Sequence, residues 1–329
     1  MDIANVFFDS LRTAVGPVAA AYALAAVGLN LHFGYTGLLN FGHVAFMMIG
    51  AYGTAVTVDQ GGPLWLGLLM GVVLAVVLGL LFGLPTLRLR VEYLAILTIA
   101  AGEVLRTLVR AGDADSLTRG VFGIQRFADD FFSINPFDPG RYGWGRFAFS
   151  ERSLWVMVVG WTLVIMATGL VVLLSRSPWG RVLRAIREDE DAARSLGKNV
   201  FVFKLQSLVI GGVLGASAGM LLAIDRQSVN PDTFLPVVTF AVFAIVILGG
   251  PGTRLGPVFG AALYWFIIQF ADRFIREALA AGWIPSSVID STDVGAVRFV
   301  LVGLMLMALM IWRPQGILGR REEVLLDAE

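Results

Sequence analysis

The sequence predicts an all-α fold, a polytopic transmembrane bundle of eight to ten helical spans making one domain over residues 1–329. Three observations carry that expectation. Charge is absent over long runs: 46 residues between Arg12 and Asp59, 28 between Asp59 and Arg88, 23 between Arg152 and Arg176. Shorter runs of 20, 21 and 17 residues separate Lys204 from Asp225, Asp232 from Arg254, and Arg254 from Asp272. A charge at the bilayer centre costs at least about 2.5 kcal/mol, and a crossing helix needs about 20 apolar residues, so most runs fit one crossing and the first fits two. Composition agrees, with 57% hydrophobic and 15% charged residues, far from the soluble average. Finally, only the segment 111–153 is a sizeable extramembrane piece, and no soluble domain is visible.

In chain order the spans are 14–34, 38–58, 64–87, 91–110, 154–175, 204–224, 234–250, 255–272 and 295–312. Ala23-Leu24-Ala25 has the small-x-small look of a signal cleavage site, but Asp2 and Asp9 against a single Arg12 make a poor signal sequence, so the first run is read as a retained span. The turn Tyr35-Thr36-Gly37 is tight for two full spans, and glycines at 34, 37, 42, 50 and 53 point to a broken or re-entrant helix there. The last span tolerates Arg298 by snorkelling. Nine spans place the termini on opposite sides.

Basic residues in short loops set orientation. One side receives Arg88, Arg90, Arg254, the six basic residues from Arg176 to Lys198, Arg313, Arg320 and Arg321; the other receives Arg226, Arg273 and Arg276. Twelve against three places the carboxyl end and the 176–203 loop in the cytoplasm. The 111–153 loop, with five Arg, then lies outside as a cap over the membrane surface.

Chemistry-bearing patterns are sparse. The chain has no Cys and only His32 and His43, which excludes disulfides and Cys-based metal or redox sites and leaves no metal-binding cluster. No G-x-x-x-x-G-K-[ST] loop is present to cradle nucleotide phosphates. Gly215-Ala216-Ser217-Ala218-Gly219 matches the seryl-elbow letters, but it lies mid-span with no downstream histidine, so hydrolysis is not indicated. Net charge is zero, which gives no argument for nucleic acid.

Intramembrane ionisable groups are the next candidates. Glu103 has Arg106 three residues on, on one helical face, as an ion pair or a polar contact in the substrate path. Asn40 and His43, also three apart in the second span, read as a structural pair or as path lining. Gly211, Gly215 and Gly219, then Gly252, Gly256 and Gly260, recur every fourth residue and mark helix packing.

The sharpest signal lies at 177–199. Ser177 caps a helix with Pro178 in its first turn, and Trp179, Val182, Leu183, Ile186, Ala193 and Leu196 recur at helical spacing. Arg187 with Asp191, and Glu190 with Arg194, are spaced to pair on the opposite face, and Gly197 marks the stop. A short amphipathic helix is predicted on the basic side, lying on lipid or docking into a soluble partner. The acidic run Glu188 to Asp191 favours the partner over anionic lipid.

The stretch Gly180-Arg181-x-Leu183-Arg184-Ala185-Ile186-Arg187-Glu188-Asp189-Glu190-x-Ala192-Ala193-x-x-Leu196-Gly197 resembles the cytoplasmic coupling loop of Liv-type branched-chain amino acid ABC transporter permeases, M subunit above all. Gly28-Leu29-Asn30-Leu31, Gly34-Tyr35-x-Gly37-Leu38-Leu39-Asn40-Phe41-Gly42-His43, Tyr93-Leu94-Ala95-Ile96, Leu117-Thr118-Arg119-Gly120, Gly249-Gly250-x-Gly252-Thr253 and Arg313-Pro314-x-Gly316-Ile317-Leu318 agree in order. Arg119 departs from a usual small residue and Lys198 from a common aliphatic.

The resemblance implies a type II ABC importer permease in the bacterial inner membrane. Its partners would be a second, paralogous permease subunit, two cytoplasmic ATPases that bind ATP and Mg, and a periplasmic solute-binding protein; the chain itself would hold no cofactor. Arg181, Arg184, Arg187, Glu188, Asp189 and Glu190 would face the ATPase. The solute would be a branched-chain or other hydrophobic amino acid; urea, amides, aromatic acids, or a self-sufficient secondary carrier are the alternatives.

Overall fold

The computed structural model describes residues 3–87, 91–111, 115–281, 283 and 294–319, so Arg88, Arg90, Arg320 and Arg321 of the charge count lie outside the described residues. Each of the nine expected spans contains a helix. An amphipathic helix that the sequence reading did not foresee, α1 (Ile3–Val15), comes first. Next is α2 (Pro17–Asn30), with Pro17 in its first turn and nearly every later position buried. It runs on into a π-helical turn, Leu31–Tyr35.

After a non-helical passage come α3 (His43–Asp59), α4 (Leu64–Thr86) and α5 (Val91–Arg110). The break foreshadowed by the glycines is therefore real. The second span starts at His43 rather than at 38, because Gly37 takes a left-handed conformation (φ 73°) that ends the helix.

Segment 111–153 folds into α6 (Asp115–Thr118), β1 (Ile124–Gln125), α7 (Asp129–Ser133) and an antiparallel hairpin of β2 (Arg141–Trp144) and β3 (Phe147–Ser150). Strand β1 pairs with β4 (Ser228–Val229), tying this cap to a segment far along the chain. Arg146 bonds Asp9 at 3.0 Å, and Arg119 bonds Asp59 at 2.7 Å. These short strands are the one departure from an all-α chain among the described residues.

The second half comprises α8 (Glu151–Arg176), α9 (Pro178–Glu188), α10 (Glu190–Ser195), α11 (Val200–Arg226), a 3₁₀ turn at Pro231–Phe234, α12 (Pro236–Gly249), α13 (Gly256–Ala280) and α14 (Val294–Trp312). Helix α11 is the centre, packed on α2, α3 and α4.

Among the described residues, six helical stretches are long and apolar enough to cross a membrane alone: Pro17–Tyr35, α4, α8, α11, α13 and α14. The others among the nine are 17 residues (α3), 14 residues (α12), or interrupted by Glu92, Glu103, Arg106 and Arg110 (α5). The chain is thus a mostly helical, multi-pass membrane protein.

Its outer surface says the same. Helix α4 turns Gly67, Gly71, Ala75, Gly79 and Gly83 inward and exposes Trp65, Leu69, Val73, Leu81 and Leu84. Small-in, large-out is the arrangement expected where the surroundings are hydrocarbon and backbones approach closely. Arg298 of α14 donates to Asp272 of α13 at 3.4 Å.

Candidate functional site

The 177–199 segment is two helices, not one. Ser177 Oγ accepts from the Gly180 N–H and starts α9. Asp189, in an extended conformation, then ends it and caps α10 by accepting from the Asp191 and Ala192 N–H groups at 2.9 Å. A carboxylate over a helix N-terminus is favourable, which is why the acidic run breaks the helix instead of continuing it. The break rotates Asp191 away from Arg187. Arg194 takes both Glu190 and Asp191 at 3.0 Å, while Arg187 Nη1 turns into the bundle and donates to the Gly34 carbonyl at 2.5 Å.

Leu183, Ile186 and Ala193 are buried as the periodicity predicts, but Leu196, displaced by the break, is 77% exposed. Arg181, Arg184, Arg187, Glu188 and Asp189 are all exposed as residues, although the Arg187 Nη1 is the atom bonded to Gly34. Arg184 donates to the Ser175 carbonyl at 3.3 Å and, with Arg254, Tyr35 and Thr253, lines a cavity of about 350 Å³.

Glu190 is also bound to Lys204 of α11, whose side chain is only 9% accessible. Breaking a buried pair by removing one partner costs about 3–5 kcal/mol, and the exposure of Glu190 reduces this to roughly 2 kcal/mol. Glu190→Ala is therefore expected to lower thermal stability in detergent. Lys204→Met in the same chain should restore most of the loss, and equal stability of Glu190→Ala and parent would refute the tie.

Below α9 lies the broken passage after α2. Asn30 spans a gap: its Oδ1 accepts from the Gly252 N–H at 2.8 Å and its Nδ2 donates to the Thr253 carbonyl at 2.9 Å. Thr36 Oγ1 donates to the Leu31 carbonyl at 2.8 Å and accepts from Ser207 Oγ at 2.7 Å. These bonds take up carbonyls that the interrupted helix leaves free, as burial requires.

Asn40 lies in this passage, not on α3, so it does not share a helical face with His43. Both are buried, through different partners. His32 donates from Nε2 to the Leu208 carbonyl at 3.1 Å, so its Nδ1 is the acceptor for Asn40 Nδ2 at 3.3 Å. His43 donates from Nε2 to the Ala25 carbonyl at 3.0 Å, and the two imidazoles meet edge to face with centroids 5.5 Å apart. Asn30, His32 and Lys204 were not singled out from the sequence. The signal available for His32 was its place in the same glycine-rich run as Asn40.

The glycine stripe of α11 packs as expected. Gly211 lies against His32 and the Gly28 carbonyl, Gly215 against the His43 ring, and Gly219 against the Met47 backbone. The second stripe is only partly helical: Gly252 (φ 74°) belongs to the turn before α13, Gly256 opens α13, and Gly260 meets the Ile245 carbonyl of α12.

Glu103 and Arg106 pair as predicted, with Arg106 Nε 3.0 Å from both carboxylate oxygens. Arg106 is largely covered, at 12% accessible, but its partner is not. Glu103 is 40% accessible, and Arg106 and Arg110 also reach Asp232 at 3.2 and 2.9 Å, beside the 3₁₀ turn at the cap end.

A family described as the branched-chain amino acid transport system, permease component, matches residues 14–311. The chain is 31% identical over 315 residues to the high-affinity branched-chain amino acid transport system permease protein LivM of Escherichia coli (strain K12), covering 92% of this chain and 69% of that one. It is 24% identical to the probable branched-chain amino acid transport permease protein LivM of Methanocaldococcus jannaschii over 91% of both chains. It is also 26% identical to the high-affinity permease protein LivH of Escherichia coli (strain K12) over 93% of both.

Proposed function

Because the chain belongs to the family of permease components of branched-chain amino acid transport systems, we propose that it is the membrane-spanning subunit of an ATP-driven importer that passes branched-chain or other hydrophobic amino acids inward. The observation that carries this reading is the α9–α10 knob, charged on its free face, on a chain with no nucleotide-binding loop of its own. Two ATPase subunits, holding ATP and Mg, seat against Arg181, Arg184, Glu188 and Asp189 on the cytoplasmic side, where the carboxyl end also lies.

Helices α3, α5 and α12 complete nine spans beside the six long ones. The cap, with Trp144 fully exposed at the hairpin tip, faces outward and receives a solute-binding protein. A paralogous permease, as LivH is to LivM, completes the path, and the Glu103–Arg106–Asp232 group stands at its outer mouth.

The test is uptake of labelled leucine by proteoliposomes holding the chain with its ATPases, permease partner and binding protein. Uptake should require ATP, and Arg184→Glu with Glu188→Arg should lower it more than tenfold. Undiminished uptake in that variant would count against the docking face. Uptake by the chain alone under a proton gradient would favour a secondary carrier, and competition by urea or an aromatic acid rather than leucine would change the substrate.

A further inference from the structure

Arg187 lies within the charged run that sequence assigns to the ATPase, yet its guanidinium is engaged in the opposite direction. We propose that Arg187 is a positioning residue that pins α9 to the broken end of α2, so that displacement of the knob moves the Leu31–Gly42 passage and the α12–α13 turn with it. The inference rests on the transport reading for its functional consequence and on geometry for the pin itself.

Four contacts define the pin. Nη1 donates to the Gly34 carbonyl at 2.5 Å, a charge-assisted bond to a peptide group that the π turn leaves available. The Cα, Cβ and Cγ of Arg187 lie against Gly37, where an added Cβ would come within 3.3 Å of Cγ; with φ 73°, glycine suits both the conformation and the approach. The same Nη1 would lie 3.0 Å from a Cβ at Gly252. Asn30 then locks that turn to the same passage through Gly252 and Thr253.

Beyond the pin the passage is held at every step. Leu38 N–H donates to the His32 carbonyl at 2.9 Å, and Asn40 bonds His32. Phe41 stacks on Phe243 of α12 with centroids 4.5 Å apart, and the Val44 N–H donates to Thr239 of α12 at 3.0 Å. On the other side of the turn, the N–H groups of Ile317 and Leu318 donate to the last carbonyls of α12, those of Leu248 and Gly249. A push on α9 therefore reaches α12 from both sides, through Phe41 and through the Gly252 turn, by contacts that leave little slack.

The chain has no cysteine, so a spin-label pair can be placed at Leu196, 77% exposed at the end of α10 and outside the proposed ATPase contacts, and at Leu255, 52% exposed beside the turn. In the assembled transporter the Leu196–Leu255 distance should stay single and unchanged between nucleotide-free and ATP-bound states. In Arg187→Ala it should broaden and shift on ATP binding, while leucine moved per ATP hydrolysed falls at least tenfold and ATPase subunits still co-purify in parent amounts. Arg187→Lys, which keeps a donor, should recover part of that ratio.

An unchanged transport-to-hydrolysis ratio in Arg187→Ala overturns the pin. So does loss of ATPase co-purification, which would make Arg187 a partner contact. If the parent assembly shows no ATP-driven uptake, the transport reading has failed instead. The isolated chain then decides the pin: a Leu196–Leu255 distribution in Arg187→Ala as narrow as in the parent overturns it, and a broadened one upholds it.

Discussion

Gly219→Leu is expected to leave almost no folded protein. Gly219 sits where α11 crosses α3 backbone to backbone, and a Cβ there would overlap the carbonyl group of Met47. Backbone has no rotamer to yield, so two helices must separate. Overpacking a core usually costs about 1–3 kcal/mol, and forced separation of the central helix raises the cost beyond about 4 kcal/mol, the range in which single substitutions unfold a chain. Gly169→Leu, on an α8 face where nothing approaches within 4 Å, should be harmless. The check is the monodisperse peak of a fluorescent fusion on size exclusion in mild detergent. Comparable peaks from the two variants would mean that α11 and α3 do not meet as described.

The second large effect is expected at Asn30. Asn30→Leu keeps the volume and removes both bonds to the α12–α13 turn, leaving the Gly252 N–H and the Thr253 carbonyl without their partner. A fully buried orphan costs about 1–3 kcal/mol; these two are part-buried, so the expected loss is roughly 2–4 kcal/mol. Thermal unfolding in detergent should show it, and Thr36→Val, which removes bonds on the other side of the break, should cost less because only the Thr36 hydroxyl is lost. Were Asn30→Leu as stable as the parent, the bridge would carry no weight.

The apolar helices were legible because a bilayer crossing is enforced residue by residue: each uncharged run holds a helix, and 91–110 matches α5 to the residue despite its four charges. The α11 stripe was legible for a similar reason, since small residues at fourfold spacing admit a neighbouring backbone wherever it comes from. What sequence did not reveal depends on partners far along the chain. The break at 31–42 is stable because Asn30 meets Thr253, 223 positions away, and Ser207 meets Leu31. Nothing in the run Glu188 to Asp191 marks which carboxylate will cap a helix, so the change of direction at Asp189, and with it the turning of Arg187, was hidden. Helix α1 was missed because a short amphipathic segment beside a 46-residue apolar run leaves no gap in charge of its own.

Helix α12 has one more implication. Its 14 residues rise about 21 Å, whereas the hydrocarbon layer is about 30 Å thick. Its two ends therefore stop short of the headgroups. One end is met by the strap at Ile317 and Leu318, the other by the 3₁₀ turn at Pro231–Phe234. If α12 crosses as proposed, the strap and the 3₁₀ turn supply the remaining third of that depth, so its passage is completed by irregular backbone at both ends.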